Sequence, residues 1–543
     1  MKTLRWDKNW RDTALSRISG PWDLIIIGGG ITGAGIFRSA VSAGLKTLLL
    51  EANDFAFGTS SRSSKLVHGG FRYLYNKQFH VTYESVTERQ RLLKEAPALI
   101  QPLAFNLPNY DSYGFPSWFF NIGLGFYDLM GAKWDHSALS YQAMQNKIPG
   151  LSEDGYLKGF RYFDSMLDDA RLVFRIIRET AADGGTALNY AKVEGLLCDN
   201  HGMVCGVAVR DMAPGVQNSY EVTAKAVVNA SGPWSDAVRS GLRVPDKLRP
   251  LRGSHIILPK PRLPVCEAVT FFHPLDNRAM FVIPWEGTTM VGTTDIDHSG
   301  RNFQPGPEPY AATDEIKYIL DGISFLFPRN KITGADILST FAGLRPVINT
   351  GAPTPSKESR GHQVWIENGL ITVSGGKLTT FRIMARDTLA LASQVMGQPI
   401  NVNKKLPMVN PIRKDIFKYL TPIEMRLYGR SGMEASSILQ ESTQQERAPI
   451  NGLPSVWAEL NFAASHEAII HLDDLLLRRT RIGMLLPHGG RDLLPDIRNM
   501  VQEKLGWPNQ CWQQEQERYS KIWQKYYSPH PGKQQDTQGE KNG

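Results

Sequence analysis

Residues 23–52 read DLIIIGGGITGAGIFRSAVSAGLKTLLLEA, and this stretch decides the fold of the N-terminal part of the chain. The run from Asp23 to Ile27 is short and apolar, which is typical of a strand buried on both faces of a parallel sheet. A glycine-rich turn follows, then a helix-like stretch to about Ala43 that Gly44 ends, and then a second apolar run, KTLLLEA. Together these segments predict a βαβ unit of about 30 residues.

Gly28, Gly30 and Gly33 form the pattern G-x-G-x-x-G between this strand and this helix. The first glycine allows a tight turn, the second lets the backbone approach a pyrophosphate, and the third lets helix and strand pack closely. The helix N-terminus offers free N–H groups to a diphosphate. Glu51 ends the second strand, where its carboxylate can accept hydrogen bonds from ribose hydroxyls and would repel the 2′-phosphate of NADP. The pattern predicts dinucleotide binding and leaves FAD and NAD open.

Composition excludes several classes of protein. A chain of 543 residues is expected to form two or three domains, and 42% hydrophobic with 21% charged residues is ordinary globular composition. The formal net charge of +8 suits an anionic substrate or an anionic lipid surface. No Lys/Arg block resembles a nucleic-acid-binding arm, so we predict no nucleic-acid partner. The four cysteines have no zinc or iron–sulfur spacing, so we predict no metal and a reducing compartment.

The rest of the chain divides into recognisable segments. Helices are predicted over residues 80–96 and 171–182, short strands over 186–230 and 254–294, and a hairpin over 363–373 that turns at Asn368–Gly369. A long helix is expected to run to about Val395. Strand signals vanish after about residue 405, and helical, Arg- and Glu-rich segments continue to about Tyr527. The polar C-terminus is predicted to be a disordered tail.

Three further segments carry cofactor-like features. A hydroxyl-rich loop, TSSRSS, begins at Thr59 and can bind phosphate or flavin edges, although a solvated serine loop has the same composition. The apolar strand ending in Asn229 runs into small residues, as needed where backbone passes close to a cofactor. SGGKLTT opens a helix whose N-terminus would stabilise negative charge on a reduced flavin. The predicted cofactor-binding residues are Gly28, Gly30, Gly33, Glu51, Thr59, Ser60, Ser61, Gly70, Ser231, Gly232, Gly376, Leu378 and Thr379.

The ordered motifs IIIGGGITGAGI, TSSRSSKLVHGGFRYL, DDARLV, VVNASGPWSD, RGSHIILP, FVIPW, VGTTD, FAGLRPV and SGGKLTTFR resemble those of FAD-dependent glycerol-3-phosphate dehydrogenases over roughly residues 20–395. Only Cys511 lies beyond Cys266, which favours the aerobic, quinone-linked form over the cysteine-richer anaerobic form. The resemblance implies an α/β chain, α+β overall, with a Rossmann-like FAD fold of the glutathione-reductase and amino-acid-oxidase type. It also implies a mixed-sheet substrate domain and a C-terminal helical domain.

The implied domain boundaries are discontinuous. We predict an FAD-binding domain over 20–78, 160–250 and 336–398, and a substrate-binding domain over 79–159 and 251–335. A C-terminal helical cap is predicted over 405–527, and a disordered tail over 528–543.

The resemblance implies oxidation of sn-glycerol 3-phosphate to dihydroxyacetone phosphate by hydride transfer to FAD, with electrons passed to membrane quinone. Such a substrate requires cations for the phosphate and a base for the hydroxyl proton, because the cofactor supplies the redox chemistry. His255 is the predicted general base, although a hydrogen-bonded core histidine fits the sequence as well; His68 is a second candidate. The predicted catalytic residues are His255, Arg345 and Lys377, and the predicted substrate-binding residues are Arg72, Tyr73, Arg278, Arg345 and Lys377.

Three alternatives stay open on the sequence: an oxidase that uses O2, an amino-acid or amine oxidase of the same fold, and a non-enzymatic FAD-binding scaffold. Because quinone is a membrane substrate, we predict a cytoplasmic enzyme bound peripherally to the inner face of the cell membrane, with a homodimer as one possible state. The aromatic stretch from Trp118 to Phe120 is predicted to pack inside the substrate domain, with membrane contact as the alternative. The basic motif RRTRIG, residues 478–483, is interpreted as a membrane-facing cluster or a solvated helix end.

Overall fold

A computed structural model describes Trp6 and residues 9–69, 79–114, 116–130, 136–216, 218–298, 308–351, 358, 361–412 and 415–529, with the backbone alone for 79–81 and 126–130. Its strands, numbered in chain order, are β1 Trp22–Ile27, β2 Thr47–Leu50, β3 Leu66–Val67, β4 Ile100–Tyr110, β5 Ser137–Leu139, β6 Tyr156–Leu167, β7 Thr186–Leu188, β8 Ala191–Cys198, β9 Val204–Asp211, β10 Ser219–Asn229, β11 Leu248–Pro259, β12 Ala268–Phe272, β13 Ala279–Trp285, β14 Thr288–Gly292, β15 Ile296–Asp297, β16 Ser339–Ile348, β17 His362–Glu367 and β18 Leu370–Gly375.

The α-helices of the described residues are α1 Trp10–Leu15, α2 Ile31–Ser42, α3 Phe79–Glu95, α4 Ser117–Met130, α5 Tyr141–Lys147, α6 Asp169–Ala182, α7 Ser235–Arg239, α8 Thr313–Leu326, α9 Phe381–Met396, α10 Pro422–Ser431, α11 Ala435–Glu441, α12 Trp457–His466, α13 Ile482–Leu485, α14 Leu494–Leu505 and α15 Asn509–Tyr526. A π-helical turn, Asp474–Arg479, precedes α13.

The first sheet has the strand order β17-β18-β10-β1-β2-β7, in which β18, β10, β1, β2 and β7 run parallel. Strand β2 and residues 24–27 of β1 are buried because both faces of the sheet are covered. Leu24 and Ile26 pack with α2, α6 and α9 on one face, whereas Ile25 and Leu48 pack against the β8–β9 hairpin on the other. This doubly covered parallel sheet contains the βαβ unit predicted from residues 23–52, and it is the Rossmann-like layer that the family resemblance implies.

The second sheet is mixed, with the order β15-β11-β14-β13-β12-β4-β6-β3; β16 pairs with β11, and β5 with β6. Ile256 and Leu258 face α8 on one side, whereas His255, Ile257 and Phe341 lie on the side covered by the C-terminal helices. The core of the C-terminal domain is therefore continuous with one face of this sheet. The predicted fold class, a Rossmann-like sheet with a mixed second sheet and a helical C-terminal domain, is confirmed.

Two interpretations of exposed segments need correction. Arg478, Arg479 and Arg481 are 1–2% exposed, so the basic motif is neither a membrane-facing cluster nor a solvated helix end. In the aromatic stretch, Phe120 is buried as predicted, but Trp118 is 64% exposed because it lies on the outer side of α4. The tail beyond residue 529 lies outside the described residues. Within the described part of the chain, no helix is long and apolar enough to cross a bilayer.

Candidate functional site

The glycine turn after β1 is shaped by close backbone contacts. Gly28 has a φ of +114°, and a Cβ there would lie 2.5 Å from the Ala230 carbonyl oxygen. A Cβ on Gly33 would lie 1.9 Å from the Gly28 carbonyl oxygen, so helix α2 approaches the turn closely enough to exclude any side chain. Helix α2 has Gly30 as its N-cap residue, which adds no side chain at this end of the helix. A helix N-terminus that follows such a glycine turn can bind a diphosphate through its N–H groups.

Glu51 directly follows β2 and lies against the same turn. Its Oε2 accepts a hydrogen bond from the Gly29 N–H at 2.7 Å, and its Oε1 accepts one from the Asn53 N–H at 2.9 Å. Burial raises the pKa of this carboxyl above its ordinary value, while the two N–H donors oppose that shift. A carboxylate offers about four lone-pair sites, so acceptor capacity for ribose hydroxyls remains.

The hydroxyl-rich loop packs on the glycine turn. The Ser60 Oγ accepts a hydrogen bond from the Ile31 N–H at 2.9 Å, and the Ala56 N–H donates to the Gly29 carbonyl at 3.0 Å. The Thr59 hydroxyl instead donates to the Leu344 carbonyl on β16. The Ser61 hydroxyl donates within the loop to the Phe57 carbonyl at 3.3 Å. The loop is thus an ordered bridge between the two sheets, not a solvated serine segment.

The remaining cofactor candidates follow the carboxyl ends of β10 and β18, the edge where ligands bind in parallel sheets. Ser231 donates its hydroxyl to Asn229 Oδ1 at 2.6 Å, and Gly232 has a φ of +61°. Beyond β18, a Cβ on Gly376 would lie 2.7 Å from the Met384 sulfur. A 3-10 turn, Leu378–Thr380, then leads into α9. Gly70 lies outside the described residues.

Thr379 is buried, and Leu378 is half-buried. Leu378 packs against the core of the first sheet, and the Thr379 hydroxyl lies 3.0 Å from the Ser85 hydroxyl. These two residues are therefore available to a cofactor chiefly through their backbone.

Arg345 lies across the floor of the predicted substrate site. Its guanidinium covers Gly253 of the neighbouring strand β11, where a Cβ would lie 2.3 Å from Nη2. Nη1 donates to Asp295 Oδ1 at 3.0 Å, and Nη2 donates to Thr293 Oγ1 at 3.1 Å. The side chain keeps 29% of its surface exposed, so it is accessible to a ligand.

Asp295 joins two of the predicted cations. Its Oδ2 lies 3.1 Å from Arg278 Nη1 while Oδ1 holds Arg345, and the carboxylate is 3% exposed. The sequence analysis quoted its motif, VGTTD, without assigning it a role. The sequence does place a carboxylate at the end of an apolar strand. In a site that contains arginines, such a carboxylate is expected to pair with a guanidinium group.

His255 lies on the same face of the second sheet as Arg345. Its ring stacks on Phe341 with 4.7 Å between centroids, and Gly292 opposite leaves room for it, since a Cβ there would lie 2.4 Å from the ring. The Ser64 hydroxyl is hydrogen-bonded to Nε2 at 2.9 Å, and Nδ1 has no partner among the described residues. Burial lowers the pKa of His255 well below its ordinary value, and the cations Lys65 and Arg345 add to that effect. The ring is therefore neutral at pH 7.

His68 and Lys377 form a second set of candidates. Burial lowers the pKa of His68, with the Lys377 charge adding to the shift and Asp164 opposing it, so the two candidate side chains interact electrostatically. The structure thus brings together Arg345, Arg278 and His255 in one set and His68 and Lys377 in another. Arg72 and Tyr73 lie outside the described residues.

Comparison with known proteins gives matches along most of the chain. Residues 23–391 match the family described as FAD dependent oxidoreductase, and residues 414–511 match the C-terminal domain of alpha-glycerophosphate oxidase. The aerobic glycerol-3-phosphate dehydrogenase of Staphylococcus epidermidis is 39% identical over 407 residues, covering 73% of this chain and 71% of the relative. That of Staphylococcus aureus is 35% identical over 491 residues, covering 84% and 86%.

Solved structures show the same architecture. The glycerol-3-phosphate dehydrogenase from Bacillus halodurans complexed with FAD has a TM-score of 0.75 at 27% identity, covering 97% of this chain and 99% of that chain. The L-alpha-glycerophosphate oxidase from Mycoplasma pneumoniae with FAD bound has a TM-score of 0.53 at 15% identity, covering 72% and 99%. The second likeness is one of fold alone.

Proposed function

Because the chain belongs to the FAD-dependent glycerol-3-phosphate dehydrogenase family, we propose that it oxidises sn-glycerol 3-phosphate to dihydroxyacetone phosphate, with FAD as hydride acceptor and membrane quinone as final electron acceptor. The observation that carries this proposal is the bridge made by residues 59–64. Thr59 bonds to Leu344, the neighbour of Arg345, and Ser64 bonds to His255. The hydroxyl-rich loop therefore connects the glycine turn with the strand that carries Arg345 and with His255.

The residues of the first sheet fit an FAD molecule. Three glycines keep side chains out of the turn, the N-cap residue of α2 is a glycine, and Glu51 keeps acceptor capacity. We propose that this turn holds the diphosphate, that Glu51 holds the adenosine ribose, and that Ser231, Gly232 and Gly376 approach the flavin with their backbones. When bound, FAD supplies the acceptor for the hydride that leaves C2 of the substrate.

The chain's own residues bind and deprotonate the substrate in this mechanism. Arg345, held in place by Asp295, binds the phosphate, with Arg72, Tyr73, Arg278 and Lys377 as further proposed contacts. His255 is neutral, so it can accept the proton of the C2 hydroxyl through a ring nitrogen. Ser64 fixes the ring orientation by its bond to Nε2. Withdrawal of the proton makes hydride departure from C2 favourable.

Anaerobic titration of the yellow protein with glycerol 3-phosphate tests the proposal, and we expect loss of flavin absorbance. Arg345→Met should weaken substrate binding severely while FAD stays bound, and His255→Ala should slow flavin reduction more than binding. His466→Ala is a matched control, because His466 also stacks on a phenylalanine but lies in α12. Wild-type reduction rates in both site variants would refute the assignment of these residues.

His68 is the competing base, and the electrostatic link to Lys377 favours testing it. His68→Ala should leave reduction within a few fold of wild type if His255 is the base. A loss in His68→Ala that exceeds the loss in His255→Ala would transfer the role to His68.

A glycerol-3-phosphate oxidase is the second candidate function, favoured by the match of residues 414–511 to an oxidase C-terminal domain. Stopped-flow reoxidation of the reduced protein separates the two acceptors. The dehydrogenase should react with a quinone analogue much faster than with O2, and the reverse order would establish the oxidase. Bleaching by an amino acid or amine would instead indicate the amino-acid or amine oxidase, and no bleaching by any phosphorylated polyol would indicate the scaffold.

We also propose peripheral contact with the inner face of the cell membrane. Trp118 and Ile122 are 64% and 53% exposed, and they lie four residues apart on one side of α4. An exposed tryptophan with an apolar neighbour is suited to a membrane interface, and the net positive charge favours anionic lipid.

Trp118→Glu should reduce sedimentation with phosphatidylglycerol vesicles, whereas Tyr419→Glu, at an 87% exposed site in the C-terminal domain, should not. Equal sedimentation of both variants would argue against contact through α4.

A further inference from the structure

Three buried arginines of the C-terminal domain converge on residues 54–65, a segment that contains the hydroxyl-rich loop. Arg478 donates from Nε to Asp54 Oδ2 at 2.6 Å, and Arg479 donates to both oxygens of Asp54 at 2.7 and 2.8 Å. Asp54 is fully buried and lies three residues after Glu51. The Arg478 guanidinium also lies over the Phe57 ring at 5.7 Å. The first part of residues 54–65 is thus held by charge-assisted contacts from another domain.

Arg481 holds the end of the same loop. Its Nη1 donates to the Ser61 carbonyl at 3.3 Å, and its Nη2 pairs with Asp168 at 2.9 Å and with Asp169. Asp169 also accepts hydrogen bonds from the Lys65 ammonium at 2.9 Å and the Ser63 hydroxyl at 2.6 Å. Ser64, between these two residues, is the partner of His255.

The opposite side of the loop lies on the glycine turn, through Ala56 and Ser60. Residues 54–65 are therefore held between the glycine turn and the C-terminal domain. A displacement on one side of this segment therefore reaches the other side, because arginine side chains hold one face and the hydrogen bonds of Ala56 and Ser60 hold the other.

We propose that the C-terminal helical domain is a clamp on residues 54–65, in which Arg478 and Arg479 govern how tightly FAD is held and Arg481 governs the position of Ser64 and His255. The three arginines are positioning residues, since they reach the cofactor and the substrate only through the loop. The first half depends on FAD binding alone; the second half rests on the proposed function and on His255 as base.

Titration of apoprotein with FAD, followed by flavin fluorescence, tests the first half. Arg479→Gln and Asp54→Asn should each raise the FAD dissociation constant at least tenfold. Arg426→Gln is the matched control: Arg426 lies in the same domain and pairs with Glu286 and Glu459, but it does not touch the loop. It should lower the melting temperature and leave the FAD dissociation constant within twofold of wild type. If the FAD dissociation constant rises in proportion to the loss of melting temperature in all three variants, the clamp proposal is wrong.

Flavin reduction by glycerol 3-phosphate tests the second half. Arg481→Gln should slow reduction at saturating substrate at least tenfold, with a smaller effect on FAD affinity than Asp54→Asn has. Wild-type reduction in Arg481→Gln would overturn this half. If wild-type protein is not reduced by glycerol 3-phosphate, the proposed function fails instead, and the FAD titration still decides the first half.

Hydrogen exchange of the wild-type protein covers the case in which a variant does not fold. Binding free energies are reciprocal, so if the clamp stabilises bound FAD, bound FAD must stabilise the clamp. Amides of residues 474–481 should exchange at least tenfold more slowly with FAD than in the apoprotein, while those of α14 change little. Equal slowing in both segments, or none in 474–481, would contradict the proposal.

Discussion

Replacing Gly253 by alanine should disable the substrate site without unfolding the protein. Gly253 lies in β11 beneath the Arg345 guanidinium, and a Cβ there would lie 2.3, 2.6 and 2.7 Å from Nη2, Nη1 and Cζ. Ordinary contact between non-bonded heavy atoms requires about 3.5 Å. The guanidinium must therefore move by roughly 1 Å, away from Asp295 and Thr293.

The size of the effect follows from this displacement. A misplacement of about 1 Å in a positioning group can cost about 10²-fold in rate, which corresponds to about 2.7 kcal/mol. The cost in stability should be small, because the displaced atoms are the end of a flexible side chain and Gly253 has no positive φ. A glycine-to-alanine change also restricts the unfolded chain, which contributes about 0.4–1 kcal/mol and offsets part of the lost Arg345 contacts.

Steady-state kinetics with glycerol 3-phosphate and a quinone analogue measure the effect. Gly253→Ala should lower kcat/KM about 10²-fold, with FAD content and melting temperature close to wild type. Gly195→Ala is the matched control, because it also lies in a strand but its Cβ would meet only the Ala208 methyl group at 3.8 Å. Wild-type kcat/KM in Gly253→Ala would refute the placement of Arg345, and equal losses in both variants would show a general effect of the substitution.

Two further predictions concern Asp295 and His255. Asp295→Asn removes the anion that fixes Arg345 and Arg278, so kcat should fall about tenfold. The substrate dissociation constant should not rise, because both arginines lose the negative charge of Asp295 and remain able to bind the phosphate. A higher substrate dissociation constant with unchanged kcat would contradict this prediction. Burial lowers the pKa of His255 below its unfolded value of about 6.5. Below about pH 6.5 the unfolded chain therefore binds more protons at this histidine than the folded chain does, and the folded protein loses stability as the pH falls. The melting temperature of the apoprotein should therefore fall less between about pH 7.5 and 5.5 in His255→Asn than in wild type. An equal fall in melting temperature for the two proteins would contradict a buried neutral His255 ring.

Local sequence signals predicted the first sheet well. Strand β1, helix α2 and strand β2 lie where residues 23–52 placed them, and the hairpin of β17 and β18 turns at Asn368–Gly369, both with positive φ. These elements are encoded by neighbours in the sequence: an apolar run, a glycine spacing, and an Asn-Gly dipeptide suited to a tight turn. The roles assigned to the individual site residues stay predictions.

The contacts of Arg345 could not be predicted in the same way. Asp295 lies 50 residues before it, and the two meet only because β15 and β16 both pair with β11. Long-range strand pairing is set by packing of the whole sheet, which a local pattern does not specify. Motif resemblance placed Arg345 in the site but carried no information on which carboxylate orients it.

The buried arginines show why charge patterns alone mislead. A motif with three arginines in four residues resembles a surface cluster, since arginine is almost never fully buried unless it is paired. Asp473 and Asp474, which pair with Arg478, are near it in sequence, but the other pairing groups, Asp54, Asp168 and Asp169, lie more than 300 residues away. Removing one partner of such a pair leaves an uncompensated buried charge and costs about 3–5 kcal/mol, whereas replacing the whole group by apolar residues can be neutral. Stability alone therefore does not require arginines at these positions, and directional contacts to a segment that packs on the glycine turn give a reason for having them.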